Sequence, residues 1–200
     1  CYNAGRWLDE CLESVAAQTY RPLELSLWDD CSSDDSLAIA SRWKPRLEAL
    51  QIAVKLGDGR SRGLEGPQGC GPSKNRAVEQ SAGDFLCFLD ADDIMMPSRV
   101  EVQLRLGFEL GPEEYLVGSR VTRLPEDAQP RHTAWLNGMS DEQLYLQQYC
   151  ESTLSMVTWF CARSIFDRLG GFSEVGRGDP EDLQFFYRHL DAGGKLARAS

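Results

Sequence analysis

Strand-like and helix-like patterns alternate through the first 120 residues, and this alternation restricts the fold more than any other property of the chain. Residues 7–18 carry apolar side chains at 7, 8, 11, 12, 15 and 16, the stripe of a helix packed on one face. Residues 23–28 read as a strand ending at Asp29-Asp30, after which Ser33 and Asp34 can cap a helix to about Trp43. A strand over 50–56, a Gly-rich loop over 57–71 and a helix over 72–81 follow, with Pro72 in that helix's first turn. A strand over 85–89, a helix over 99–110 and a strand over 115–121 complete this half. Repeated strand–helix units predict a doubly wound α/β fold with a mostly parallel sheet flanked by helices. Beyond residue 123 the pattern is less regular. It reads as a polar loop over 124–133, a helix over 141–149 capped by Ser140 and a strand over 156–161. A short helix over 163–169 ended by Gly170-Gly171, a loop to Asp179 and a final helix over 180–192 close the chain.

Two hundred residues are enough for one large domain with a sizeable core, and no internal repeat divides them. No run approaches the roughly 20 apolar residues of a membrane-spanning helix. The net charge of −10 argues against an extensive phosphate-contacting surface, although Arg42, Lys44, Arg46, Lys55, Arg60, Arg62, Lys74 and Arg76 crowd into one stretch. These residues read either as a solvated face or as a local nucleic-acid contact. Seven cysteines with no CxxC pair fit neither a disulfide framework nor a zinc site. Cys87 and Cys161 lie in apolar runs and read as small buried hydrophobes, which points to a reducing compartment. His132 and His189 are the only histidines, so a multi-histidine metal site is excluded, and His189 reads as scaffold.

Four motifs carry chemistry. Residues 85–93, FLCFLDADD, run from an apolar strand directly into Asp90, Asp92 and Asp93. The end of a strand is the usual ligand position in an open α/β fold, and hard divalent cations such as Mg²⁺ and Mn²⁺ take carboxylate oxygens. Alternatively, these acids only cap the next helix. Asp29 and Asp30 form a second pair at a strand end, able to accept hydrogen bonds from a base or a ribose or simply to make an acidic turn. Lys74 and Arg76 follow Gly71-Pro72-Ser73 at a helix start suited to anions. The spacing from Gly66 to Gly71 begins like a P-loop, but Pro72 stands at the lysine position, and no helix opens directly after Gly57 and Gly59 to make a dinucleotide fingerprint. Finally, Glu181 and Asp182 open a helix after Pro180, either as a base facing a cleft or as acids favoured by the helix dipole.

In order and spacing these motifs closely resemble glycosyltransferase family 2, whose members have the GT-A fold. The resemblance rests on Tyr2-Asn3-Ala4-Gly5, Asp29-Asp30-Cys31-Ser32, Ser73-Lys74-Asn75-Arg76, Leu89 to Asp93, Gly170-Gly171-Phe172 and Glu181-Asp182. It spans essentially the whole chain. The stretches CFLDADDIMMPSRV, TWFCAR and PEDLQFFYRHL further resemble the β-1,3-N-acetylglucosaminyltransferase-like branch, related to the enzyme that galactosylates queuosine in transfer RNA.

The resemblance implies one GT-A domain, with residues 1–123 binding the nucleotide and 124–200 the acceptor. It implies an inverting, metal-dependent transfer of galactose or N-acetylglucosamine from a UDP-sugar to an acceptor hydroxyl, with queuosine-bearing tRNA as one such acceptor. Tyr2 and Asp30, assisted by Asp29, would meet the uridine. Lys74 and Asn75 would lie near the nucleotide and its phosphates. Asp90 and Asp92 would hold Mn²⁺ or Mg²⁺, Asp93 would contact the donor sugar or support the site, and Asp182 would be the catalytic base. Glu181, Trp159 and Phe160 are acceptor-side candidates, the two aromatics reading more readily as core packing of a strand. Cys31 replaces the family's usual glycine. Cys1 stands where the family's first strand ends, so that strand and a C-terminal closing segment are expected to be missing. A catalytically inactive nucleotide-sugar or RNA-binding module is the alternative reading.

Overall fold

The structure, a computed structural model, describes residues 1–149, 151–175 and 178–199. Helix α1 (Gly5–Ala16) buries Leu8, Leu12 and Val15 on the predicted stripe. Strand β1 (Leu23–Asp29) pairs in parallel with β2 (Ile52–Asp58), in a register running from Leu23 opposite Ile52 to Asp29 opposite Asp58. Between them α2 (Ser36–Ala49) continues past its expected end and absorbs Pro45. Its apolar face explains this, since Ile39, Trp43 and Leu47 are all buried against α1 and β2. That continuous burial outweighs the roughly 3 kcal/mol a proline costs within a helix.

A single 3-10 turn (Arg60–Arg62) interrupts the Gly-rich loop before α3 (Cys70–Glu79). Strand β3 (Phe85–Cys87), helix α4 (Arg99–Leu110) and strand β4 (Tyr115–Ser119) follow as read from the sequence, with both strands ending two residues earlier. Helix α5 (Pro130–Gly138) occupies the end of the expected polar loop and continues beyond it, and α6 (Asp141–Leu146) is shorter than expected. Ser140 does cap α6, in a reciprocal capping box with Gln143. A 3-10 turn (Met156–Thr158) replaces the first half of the predicted strand, leaving β5 as Phe160–Ala162. Helices α7 (Arg163–Leu169) and α8 (Glu181–Asp191) precede β6 (Lys195–Ala199), a strand the sequence patterns did not announce. The loop expected before Asp179 includes residues 176 and 177, which lie outside the described residues.

The described strands form two sheets, β1-β2 and β3-β5-β4-β6. The second is mixed and not mostly parallel: β5 runs antiparallel to both β3 and β4, while β4 and β6 are parallel. The chain reaches β5 through α5, α6 and a 3-10 turn, not through a single crossover helix, so the right-handed parallel rule does not govern that connection. At the start of the chain, the Cys1 carbonyl accepts from Asp30 N at 2.8 Å, alongside the end of β1.

Two principal cores flank the sheets. One joins α1, α2, β1 and β2 around Leu8, Leu12, Trp43, Leu47 and Ile52. The other is aromatic, with Trp159, Phe166, Phe172, Phe185 and Phe186 in mutual contact under α7 and α8. Trp159 is fully buried in this core and Phe160, 3% exposed, lies in a smaller cluster with Val117, Ala197 and Ala199, so neither offers a face to an acceptor, and the acceptor-side reading of both is corrected. Their burial follows from position: Phe160 lies on a strand hydrogen-bonded on both sides, and Trp159 Nε1 donates inward to the Leu154 carbonyl at 2.9 Å.

His189 is scaffold, as read. It is buried on α8 with Nε2 against the Lys195 carbonyl at 2.9 Å, and burial lowers its pKa below the usual histidine value. Gly194 lets the chain pass over its imidazole, because a Cβ there would fall well inside contact of Cε1, Nδ1 and Nε2. Gly194→Ala is therefore expected to destabilise the protein by about 1–3 kcal/mol, the usual cost of overpacking. A lowered urea midpoint at unchanged slope checks this.

Candidate active site

After β3 the chain leaves the sheet, tied by Phe88 N donating to the Trp159 carbonyl at 2.9 Å. It then folds back on itself, Asp93 N donating to the Asp90 carbonyl at 3.1 Å. This tight turn brings one carboxylate oxygen each of Asp90, Asp92 and Asp93 within 4.8 Å of one another. Asp92 is exposed and the other two are partly buried. Burial, with the charges of Asp90 and Asp92, pushes the Asp93 carboxyl up to about 6, and Arg99 and Arg123 oppose this only in part. Crowded carboxylates with converging oxygens are the donor set a hard divalent cation takes, and a cation would relieve their repulsion. The helix-capping alternative does not describe them. Helix α4 begins at Arg99 after Ser98, with Glu101 as its first-turn acid.

Lys74 closes one side of this cluster. It rises from α3 and sets Nζ 3.3 Å from Asp90 Oδ1 and 3.6 Å from Glu181 Oε1, with its side chain only 14% exposed. Phe172 lies beneath the ammonium at 6.0 Å. Burial alone would lower the lysine pKa, yet Asp90, Cys70 and Glu181 together raise it, so the charge stays. Helices α3 and α8 approach closely here because Gly71 has no side chain; a Cβ would strike the Ser173 carbonyl and crowd Glu181. Asp182 follows Glu181 in the first turn of α8, partly buried, with Oδ1 accepting from Leu183 N at 2.8 Å.

Asp30 serves the same region from below. Its buried carboxylate accepts from Gln68 N at 3.0 and 2.9 Å and from Gly69 N at 2.9 Å, fixing the end of the Gly-rich loop where α3 begins. Asp29 is also buried and accepts from Ser32 N at 2.9 Å. Cys31, between them and Ser32, adopts φ +64°, the left-handed conformation that favours the glycine it replaces. Tyr2 is exposed beside this turn.

Asn75 is placed differently from the sequence reading. Its Oδ1 accepts from Phe172 N at 2.9 Å, while Nδ2 donates to the Phe172 carbonyl at 2.9 Å and to Glu174 at 2.8 Å. Its amide is spent on the chain beyond Gly171, so it braces the site and does not present itself to a nucleotide. Two residues went unnoticed in the sequence. Arg99 donates to the Phe88 carbonyl at 2.8 Å and to Gln103, and Gln103 reaches the Val117 and Thr158 carbonyls. Their signal was two polar residues four apart on the buried face of α4. The basic stretch, meanwhile, is largely paired: Arg42 with Asp9, Arg46 with Glu13, Lys44 with Glu48 and Arg76 with Glu79.

The glycosyl transferase family 2 profile matches residues 1–170. The chain belongs to glycosyltransferase family 2. The uncharacterized glycosyltransferase YibD of Escherichia coli K12 is 29% identical over 108 residues, 54% of this chain and 28% of YibD. The Escherichia coli UDP-Glc:alpha-D-GlcNAc-diphosphoundecaprenol beta-1,3-glucosyltransferase WfgD is 33% identical over 105 residues, 52% of this chain and 37% of WfgD. This chain thus spans about a third of the length of the curated relatives it matches. The structure of S. aureus TarS 1–349 with UDP-GlcNAc matches at TM-score 0.73 and 20% identity, over 100% of this chain and 54% of that one. The Pyrobaculum calidifontis mannosyltransferase PcManGT, with GDP-Man and Mn²⁺, matches at 0.69 and 20%, over 99% and 52%. The fold is that of the GT-A glycosyltransferases. No helix among the described residues is long and apolar enough to cross a membrane.

If Asp30 organises the loop before α3, Asp30→Asn should speed amide hydrogen exchange at Gln68 and Gly69. Hydrogen bonds to a charged acceptor are worth about 1.5–3 kcal/mol, so the acceleration should be on the order of ten- to a hundredfold. Residue-resolved exchange by NMR, with β2 amides as the internal control, checks it.

Proposed function

We propose that this chain carries out inverting glycosyl transfer from a nucleotide sugar, with UDP-galactose or UDP-N-acetylglucosamine as donor. The observation that carries the reading is the convergence of Asp90, Asp92 and Asp93 beside Lys74 and the first turn of α8. Membership of family 2 supports it, as do the UDP-sugar named for WfgD and the UDP-GlcNAc bound to TarS.

In this reading residues 1–123 bind the nucleotide and 124–200 the acceptor. Tyr2, exposed, meets the uridine. Asp30 contributes by holding the loop on which α3 begins, with Asp29 fixing the neighbouring turn. Asp90 and Asp92 would hold Mn²⁺ or Mg²⁺, which when bound neutralises the charge that gathers on a departing diphosphate. The third carboxylate, Asp93, faces the donor sugar. Lys74, poised between two acids, supplies a positive charge toward the phosphates. Asp182 takes the acceptor hydroxyl's proton as that oxygen bonds to the anomeric carbon. The bond from that carbon to the diphosphate oxygen breaks on the opposite face, its electron pair leaving with UDP, and configuration inverts. Glu181 orients this turn through Lys74.

The acceptor is proposed only as a hydroxyl-bearing molecule. Queuosine-bearing tRNA, implied by the branch resemblance, is an arm of the assay and not part of the proposal. The named relatives give it no support, and four of the eight clustered basic residues, Arg42, Lys44, Arg46 and Arg76, are paired with acids on the same surface.

Mn²⁺-dependent UDP release should be seen with one of the two donors and should be abolished by EDTA. Asp182→Asn should lower release by about 10²–10⁴-fold, the usual contribution of a positioned base, while UDP binding persists. Release that is unchanged in Asp182→Asn would remove Asp182 from the chemistry. UDP binding without release by the unmodified chain, with and without queuosine tRNA and simple sugars, would favour the inert binding module.

A further inference from the structure

The ion pairs of Lys74 have a consequence for how the site loads. The ammonium lies 3.3 Å from Asp90 Oδ1, and Asp90 is one of the three residues whose oxygens converge within 4.8 Å. The same ammonium lies 3.6 Å from Glu181 Oε1, and both the lysine and the glutamate side chains are about 85% shielded from solvent, at 14% and 15% exposure. Two positive charges cannot share one partly buried carboxylate without strong repulsion, because the interior screens them far less than water does. A divalent cation arriving alone must therefore displace Lys74 from Asp90 and leave the lysine with Glu181 only. A cation arriving with a diphosphate brings its own negative oxygens, on which Lys74 can re-pair.

We propose that Lys74 is the resident counter-ion of the Asp90 cluster, making divalent-cation binding weak alone and strong only together with a nucleoside diphosphate. The inference rests on the divalent-cation reading of Asp90 and Asp92. Lys74 then acts as a positioning residue that couples two ligands, and by linkage each ligand strengthens the other by the same factor. Glu181 sets the strength of this gate from α8. It draws the ammonium away from Asp90, so its charge works in favour of the cation. The pairing also has a structural side, because Lys74 and Glu181 span the contact between α3 and α8 that Gly71 makes close.

The test is Mn²⁺ affinity of the 200-residue chain, read from the free-ion EPR signal, with and without UDP. In the unmodified chain UDP should tighten Mn²⁺ binding markedly. In Lys74→Met, Mn²⁺ alone should bind on the order of tenfold more tightly and the enhancement by UDP should shrink, within the usual range of coupling between sites. Glu181→Gln should move the first quantity the other way, Mn²⁺ alone binding a few-fold more weakly. Lys74→Arg should restore the UDP dependence. Far-UV circular dichroism and thermal midpoints establish that each variant is folded, and Glu181→Gln keeps the test alive if Lys74→Met does not fold. Weaker Mn²⁺ binding in Lys74→Met, or the same direction of change in both variants, would overturn the proposal and leave Lys74 a brace between helices. No Mn²⁺ binding to the unmodified chain even with UDP would overturn the cation reading itself, and the inference with it. Normal Mn²⁺ and UDP binding with no effect of Lys74→Met would overturn the inference alone.

Discussion

Three carboxylates forced into one tight turn at the end of β3 repel one another, and much of the surrounding architecture answers that repulsion. The turn cannot relax, because Phe88 is bonded to Trp159 and Arg99 grips the Phe88 carbonyl from α4. Lys74 supplies one compensating charge from α3, and its own burial is tolerable only because Asp90 and Glu181 flank it. The residual crowding appears at Asp93, whose carboxyl stays protonated to a higher pH than an ordinary aspartate. Three carboxylate oxygens converging in this little room could hold a divalent cation.

Holding Lys74 in place requires α3 and α8 to be set against one another from both ends. Asp30 fixes the loop that starts α3, and Gly71 lets the first turns of the two helices nearly touch. Asn75 then staples the middle of α3 to Phe172, where the chain turns toward α8, and Phe172 in turn belongs to the aromatic core beneath both helices. The site is therefore positioned by packing and backbone hydrogen bonds drawn from residues nearly a hundred positions apart. A rigid frame of this kind is what a transferase needs to align an acceptor oxygen with an anomeric carbon.

Much of this is legible in the sequence. The strand ending in FLCFLDADD, the Asp29-Asp30 turn, the start of α3 and the acids of α8 all announced themselves, because local patterns place chemistry at strand and helix ends. The cap at Ser140 and the scaffold role of His189 were equally readable. The antiparallel insertion of β5 was not, since a three-residue strand is too short to show a period and its neighbours are set by tertiary contacts. Strand β6 follows a helix ending without a marked strand signature. Asn75 was misread for a different reason. The family resemblance sets it near the nucleotide, but its partner lies 97 residues along the chain, which no local pattern reveals. Cys31 at φ +64° shows the reverse case, in which the turn survives without the glycine that would have signalled it.

The central claim is that Asp90, Asp92 and Asp93, with Lys74 and α8 facing them, form one cation-dependent nucleotide site. Paramagnetic broadening of backbone amides by substoichiometric Mn²⁺ in the presence of UDP tests it most directly. The account predicts broadening centred on residues 90–93 and extending to Lys74 and Glu181-Asp182, while amides at the far end of β2 stay sharp. Broadening centred elsewhere, or none at UDP saturation, would contradict it.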